Sequence, residues 1–295
     1  MLRKIISGVL DGRQKRALKA SLTKARLSLI SRIFRYDKAD LKRALSRSGI
    51  QATDTVLVHA NFSPESGFSG APLDLVDALA ELLGERGNLV MVSIPFRGSA
   101  YDYLAQGKVF DVRKTMSMMG LATEMFRRRA GTLRSVHPTH PVLAIGKDAP
   151  WLVGGHERCR YPCGVGSPYD KVGQLHGRIL FFDVGFGAIT FYHYVEDVLK
   201  DRLPFQVYHD REFTIKAIDG DGRELLVQTV AFNPAIKRAA EKLEAHMARE
   251  GLIHKGRVGN SRYLIVNAAD VLSSFSRMVD AGDYPYDLQQ PAAHG

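Results

Sequence analysis

The segment Thr190-Phe191-Tyr192-His193-Tyr194-Val195-Glu196 sets a histidine and a glutamate three residues apart. On a helix the two share a face, so the carboxylate can reach an imidazole N–H or an amine held beside it. An ammonium group must lose a proton before its nitrogen can attack an acyl carbon, and a neutral imidazole is suited to that transfer. The apolar run Ile179–Val184 reads as a strand, Gly185-Phe186-Gly187 as a turn, and Thr190 as the N-cap of a helix to Lys200. His193 then falls in the first helical turn, where the positive end of the helix dipole disfavours imidazolium and keeps the ring basic. The same spacing also arises by chance in ordinary helices.

Three other groups carry chemistry-bearing side chains. In Arg134-Ser135-Val136-His137-Pro138-Thr139-His140-Pro141, two prolines stiffen a loop that holds two histidines. Structural histidines account for it as readily as functional ones. Gly164-Val165-Gly166-Ser167-Pro168 is a second stiffened turn, able to present backbone N–H groups to an anion. His156, Cys159 and Cys163 have a spacing that could supply three zinc ligands, with His176 as a fourth. Two isolated thiols in a loop is the simpler reading, and no metal is expected. The Gly185-x-Gly187 turn lacks the third glycine of a dinucleotide fingerprint, and the chain has neither a P-loop nor a Gly-x-Ser-x-Gly elbow.

Alternation of short apolar runs with helical segments predicts the elements that position these residues. Strands are expected at Thr55–Ala60, Leu89–Val92, Val142–Ile145 and Ile179–Val184, and helices at Lys38–Ser48, Pro72–Leu83, Ser117–Arg129 and Thr190–Lys200. Glu212–Ile218 and Glu224–Val230 alternate about Gly220-Asp221-Gly222 as a hairpin. A helix from Pro234 to Glu250, a strand at Tyr263–Val266 and a last helix through Val279 follow, and the polar tail from Gly282 is expected to be loosely held.

The charge is unevenly placed. Residues 1–47 contain 14 Lys and Arg against 3 Asp and Glu, whereas the other 248 residues hold 27 against 28. The net charge of +10 thus describes an appended segment, not the body. Within it Leu18, Leu22, Ala25, Leu29 and Ile33 recur on one helical face among basic residues. Packing on the body or on a second subunit, forming a homo-oligomer, is the plain reading of such an arm. Peripheral attachment to a membrane surface is the next, and no nucleic-acid partner is expected because the arm has few aromatics and no reader fold. No apolar run is long enough to span a bilayer, no signal-peptide core is evident, and two cysteines fit a reducing cytoplasm.

Taken in order, a longer series of fragments emerges: Thr53-Asp54-Thr55-Val56-Leu57-Val58-His59, Gly87-Asn88-Leu89-Val90-Met91 with Pro95-Phe96, Phe110-Asp111, Met119-Gly120-Leu121, Arg134 to His140, Gly166-Ser167-Pro168-Tyr169, and Thr190 to Glu196. Over residues 38–280 this series resembles the aminoglycoside 3-N-acetyltransferase family, also called the antibiotic N-acetyltransferases. The resemblance implies an α/β fold distinct from the GNAT acetyltransferases, acetyl-CoA as donor, and direct transfer without an acyl-enzyme. It also implies His193 as general base, Glu196 as its orienting or amine-binding carboxylate, and Thr190 near the thioester as an oxyanion partner. Asn61, Phe62 and Ser63, with Arg134, Ser135, Val136, His137 and Pro138, would line the coenzyme A channel. Two departures stand out. The family usually has two serines after the histidine where this chain has His59-Ala60-Asn61, and a serine where this chain has Pro141.

The expected architecture is a three-layer α/β/α sandwich with a central mixed sheet. Residues 1–36 form a basic amphipathic helical extension, 37–281 an acyltransferase domain and 282–295 a flexible tail. The expected activity is acetyl-CoA-dependent N-acetylation of an amino sugar or glycan intermediate, in the cytoplasm or at the inner membrane surface. Because the body is neutral and the arm cationic, an amino sugar on an anionic carrier is favoured as acceptor over a polycationic drug. The alternatives are an aminoglycoside 3-N-acetyltransferase conferring resistance, a zinc-dependent hydrolase, and a non-enzymatic binding module using the basic arm.

Overall fold

The computed structural model describes residues 11–287. Ten strands are formed among the described residues: β1 (Thr55–Ala60), β2 (Asn88–Val92), β3 (Phe110–Asp111), β4 (Leu133–Arg134), β5 (Val142–Gly146), β6 (Arg178–Phe182), β7 (Tyr208–Ile218), β8 (Glu224–Phe232), β9 (His254–Val258) and β10 (Ser261–Asn267). Seven make one sheet in the order β4-β5-β2-β1-β6-β10-β9, and β3-β7-β8 make a second. The centre is parallel, β1 pairing with β2 and β6, while β5 and β10 join antiparallel on either side. The main sheet is therefore mixed, as expected.

Its central strands are apolar on both faces because both are covered. Leu57, Val90, Ile179 and Phe181 point into one core, and Val56, Val58, Leu89, Met91, Leu180 and Phe182 into the other. Helices α2 (Lys38–Arg47), α3 (Pro72–Leu83) and α5 (Leu121–Arg128) close the second core with Leu41, Leu45, Leu75, Val76, Leu79 and Phe126. Helix α4 (Ala100–Ala105) packs on the smaller sheet through Leu104. The first core is closed by α6 (Ala149–Val153), α7 (Pro168–Gln174), α8 (Tyr192–Val198), α9 (Ala240–Arg249) and α10 (Ala268–Asp280). This is the three-layer arrangement that the alternating pattern predicts.

Helix α1 (Gly12–Ile33) is the basic extension. It touches the body along its C-terminal half, where Ile30 is buried and Arg26 pairs with Glu65. The stripe predicted to be its packing face points outward instead: Leu22, Leu29 and Ile33 are 62%, 58% and 62% exposed. The chain leaving the helix is firmly seated. Phe34 and Tyr36 press on Gly67 and Gly259, both at positive φ and both without room for a Cβ, and Tyr36 is buried against Ser261. Residues 1–10 of the predicted extension and 288–295 of the predicted tail lie outside the described residues.

Several boundaries differ from expectation for local reasons. The helix expected from Ser117 begins at Leu121, because Ser117 N–H donates to the Glu124 carboxylate and Gly120 turns at φ 105°. The helix expected from Pro234 begins only at Ala240; Asn233 instead folds its side chain onto the N–H of Ala235 as an Asx turn. The tail is not loose as far as Asp287. Ala239 N–H donates to Pro285 O, Asp287 N–H to Lys237 O, and Tyr286 is 1% exposed.

Candidate active site

Ligands of α/β sheets gather beyond the carboxyl ends of the parallel strands. Here β1 ends at Ala60 and β6 at Phe182, and the chain beyond β6 passes Asp183, at φ 51°, to enter α8. Thr190 is not the N-cap of α8. That position belongs to Phe191, and Thr190, largely buried, accepts the His193 N–H on its carbonyl at 3.0 Å. His193 nevertheless occupies the first turn, as expected.

The His193–Glu196 pair forms. Nδ1 of His193 lies 2.7 Å from Oε2 of Glu196, a carboxylate with no exposed surface. Its hydrogen on Nδ1 leaves Nε2 as the nitrogen with the lone pair. Burial holds the His193 ring below the ordinary imidazole range, and Arg238 adds to that, against the pull of Glu196 in the other direction. Burial alone would raise the Glu196 carboxyl, but its bonds to His193 and the charge of Arg238 prevail and hold it below the ordinary value. The pair is therefore a neutral imidazole on an ionised carboxylate.

Two partners of Glu196 come from stretches that sequence periodicity misassigned. Arg238, in the non-helical run before α9, donates Nε to both carboxylate oxygens at 2.9 Å. Tyr286, on the tail, donates its hydroxyl to Oε1 at 2.9 Å. The aromatic wall was also missed: Phe232, at the end of β8, stacks on the His193 ring at 4.1 Å, and Tyr208 stacks on Phe232 at 4.9 Å. The second sheet thus serves to carry this wall to α8. The polar/apolar alternation of the hairpin shows that one face is buried, not what it is buried against.

The histidine loop arrives through His140 rather than His137. The His140 ring meets His193 edge-on at 5.6 Å, whereas His137 is fully buried, stacked on His156 at 4.5 Å. Burial keeps both well below the ordinary imidazole pKa. Arg134 and Ser135 also face inward. The Arg134 guanidinium bonds the carbonyls of Val112, Thr115 and Ser93, and Ser135 Oγ accepts the N–H of Val142 and lies 2.9 Å from His156 Nδ1. In the 134–138 segment only Val136 keeps partial exposure. Of the earlier candidates, Asn61 is exposed at the end of β1, Phe62 packs toward the core and Ser63 Oγ caps the turn at Glu65.

The zinc alternative fails on geometry. Both ring nitrogens of His156 are occupied, by Ser135 Oγ and the Pro162 carbonyl, and among the described residues no cluster of three potential ligands forms. The Gly164–Pro168 turn is a helix entrance: Ser167 caps α7 by accepting the Asp170 N–H.

Outward from Tyr208 opens a cleft of about 590 Å³ lined by Arg160, Tyr161, Lys200, Asp201, Tyr208 and Asp210 among others. Its charges are mixed and partly neutralised, Arg160 pairing with Glu212 and Lys200 with Asp197. No helix among the described residues is long and apolar enough to cross a membrane.

Comparison with known proteins identifies the family. Residues 57–280 match the family model for aminoglycoside 3-N-acetyltransferase. Aminoglycoside N(3)-acetyltransferase VII of Streptomyces paromomycinus is 27% identical over 255 residues, covering 79% of this chain and 87% of that protein. The crystal structure of aminoglycoside acetyltransferase AAC(3)-Xa superposes with a TM-score of 0.76 at 23% identity, over 90% of this chain and 99% of that one. The structure of AAC-VIa bound to sisomicin gives 0.70 at 26% identity, over 84% and 98%.

Proposed function

The chain belongs to the aminoglycoside 3-N-acetyltransferase family and is an acetyl-CoA-dependent N-acetyltransferase, and from that premise we propose that it acetylates an amino group of an aminoglycoside-type amino sugar with His193 as general base. The observation that carries the base is the 2.7 Å bond between His193 Nδ1 and a buried, ionised Glu196. It leaves a neutral ring with its lone pair on Nε2. The acceptor amine gives up a proton to Nε2 as its nitrogen bonds to the acetyl carbon; the carbon–sulfur bond breaks, and the proton passes to the departing thiolate to give free coenzyme A. Thr190, next to this helix entrance, is the proposed oxyanion partner. The donor would lie along the carboxyl end of β1 at Asn61–Ser63 and past Val136, the buried Arg134, Ser135, His137 and Pro138 shaping the wall from behind.

The relatives favour an aminoglycoside acceptor. A second reading, an amino sugar on an anionic carrier, is favoured by the cationic arm. That arm, with an exposed apolar stripe amid seven basic and no acidic residues in α1, is proposed to rest reversibly on an anionic membrane surface. Thiol release from acetyl-CoA, measured across aminoglycosides and nucleotide-linked amino sugars, decides the acceptor. His193→Ala is expected to lower turnover about 10²-fold or more. Near-normal turnover in that variant would remove His193 from the role of base, and activity confined to nucleotide-linked amino sugars would replace the aminoglycoside reading with the second.

A further inference from the structure

The carboxylate behind the base has an unusual set of donors. Oε2 of Glu196 serves His193 Nδ1, Arg238 Nε spans both oxygens, and Oε1 receives the hydroxyl of Tyr286. A single bridging N–H leaves a carboxylate free to rock about its own axis; a second donor on Oε1 fixes the plane and with it the direction of Oε2. Tyr286 is itself held rigidly. Its ring packs on Tyr192, Phe205 and Phe275, with centroids 5.8, 4.6 and 6.1 Å away. Its backbone is pinned by Lys242 Nζ on its carbonyl at 2.6 Å and by the Ala239 N–H on Pro285 O. Tyr192, the neighbour of His193, donates its own hydroxyl to Pro285 O. The tail therefore grips α8 on one side and the Arg238 segment on the other. It lies beyond residue 280, where the match to the family model ends.

We propose that Tyr286 is a positioning residue for the reaction, its hydroxyl orienting Glu196 and through it the Nδ1–H tautomer of His193. The proposal rests on His193 being the base. Burial beside Glu196 pushes the phenol far above its ordinary pKa, so it remains a donor throughout the working range. The groups facing His193 are Glu196 on its own helix, Arg238 after β8, His140 before β5 and the Tyr192 ring. Of the charged groups among these, Glu196 is the one that bonds the Tyr286 hydroxyl, so removing that hydroxyl acts on His193 through Glu196.

Tyr286→Phe keeps the ring and deletes the donor. Glu196 then concentrates more charge toward His193 and raises the imidazole pKa, so the acid limb of kcat/KM against pH should move to higher pH. Turnover should fall about 10- to 100-fold, the scale of one hydrogen bond to a charged group, with the KM for acetyl-CoA within about twofold. A purely structural plug would lower the melting temperature and leave the acid limb in place, and that result would overturn the proposal. An NMR titration of the His193 ring nitrogens reads the same point without activity: the imidazole pKa rises in Tyr286→Phe if the proposal holds and is unchanged if it does not. His193→Ala keeps the tests separate. If that variant retains turnover the base assignment fails; if it is inactive while Tyr286→Phe has a native acid limb, only the role of Tyr286 fails.

Discussion

At the scale of single residues, the site depends on a carboxylate that cannot move. Glu196 has no exposed surface and meets three donors from three separate stretches of chain. Replacing it with glutamine keeps its size and some hydrogen bonding but removes the charge that Arg238 faces. Glu196→Gln should lower turnover less than His193→Ala, because the base survives with poorer orientation. It should also lower the melting temperature, since the partly buried Arg238 loses its counter-charge. In the double variant the loss should stay close to that of His193→Ala alone, the non-additivity expected of groups acting as a unit. Turnover measurements in which the two losses simply multiply would show that His193 and Glu196 work separately. His193 and Glu196 were legible in the sequence because they lie i and i+3 on one short helix. Arg238 and Tyr286 were not, since a bond across 42 or 90 residues leaves no local pattern.

At the scale of elements, legibility followed burial. Thr55–Ala60 and Pro72–Leu83 have the bounds that their apolar patterns predict, because the strand is buried on both faces and the helix buries one clear stripe. The Pro234 and Ser117 helices failed at their starts, where Asn233 and the Glu124 carboxylate capture backbone N–H groups before a helix can. Strand β9 has an exposed and charged pattern, His-Lys-Gly-Arg-Val, and was invisible to apolar periodicity. Helix α1 is the instructive case: the basic helix forms, yet Ile30 meets the body while Leu22, Leu29 and Ile33 of the predicted stripe stay exposed. Such a stripe, edged by cations, matches an anionic bilayer surface better than a second copy of the same cationic helix. The full chain should therefore float with vesicles containing anionic lipid at low salt, fail to float with neutral ones, and dissociate at about 0.5 M salt, where screening shortens to a few ångströms. Substituting Leu22, Leu29 and Ile33 together by glutamate should abolish flotation while leaving acetyl transfer to a soluble acceptor unchanged. Flotation that survives the triple substitution would take the membrane away from this helix.

At the scale of the whole molecule, the two layers that hold the site share an acid-sensitive interior. His59, His137, His140 and His156 are buried, and burial is the first cause holding each below its ordinary pKa of 6.5, to about 4 for His59 and about 3 for His156. His59 Nε2 has no hydrogen-bond partner among the described residues, so that ring has no acceptor waiting for an added proton, and at His137 burial outweighs the backbone bond to Cys159. In the unfolded chain all four would titrate near 6.5. A folded pKa lower than the unfolded one means that the unfolded state binds more protons in between. The associated stability is complete above about pH 6.5 and is lost as pH falls toward the folded values. Each such histidine costs at most about 1.4 kcal/mol per pH unit in that window, and the cost grows with the number of rings that the unfolded chain protonates and the folded one does not. A domain usually has about 5–15 kcal/mol in total, so uptake of several protons below 6.5 should lower the stability of this one measurably. Its melting temperature should accordingly be level from about pH 8 to 7 and drop steeply between about pH 6 and 5. His59→Gln, if it folds, should show a shallower drop, having one proton fewer to take up. A melting temperature that stays level down to pH 5 would mean that these imidazoles accept protons in place, and that the interior around β1 and the 134–141 loop is wetter than the packing of His59 on Phe181 and of His137 on His156 indicates.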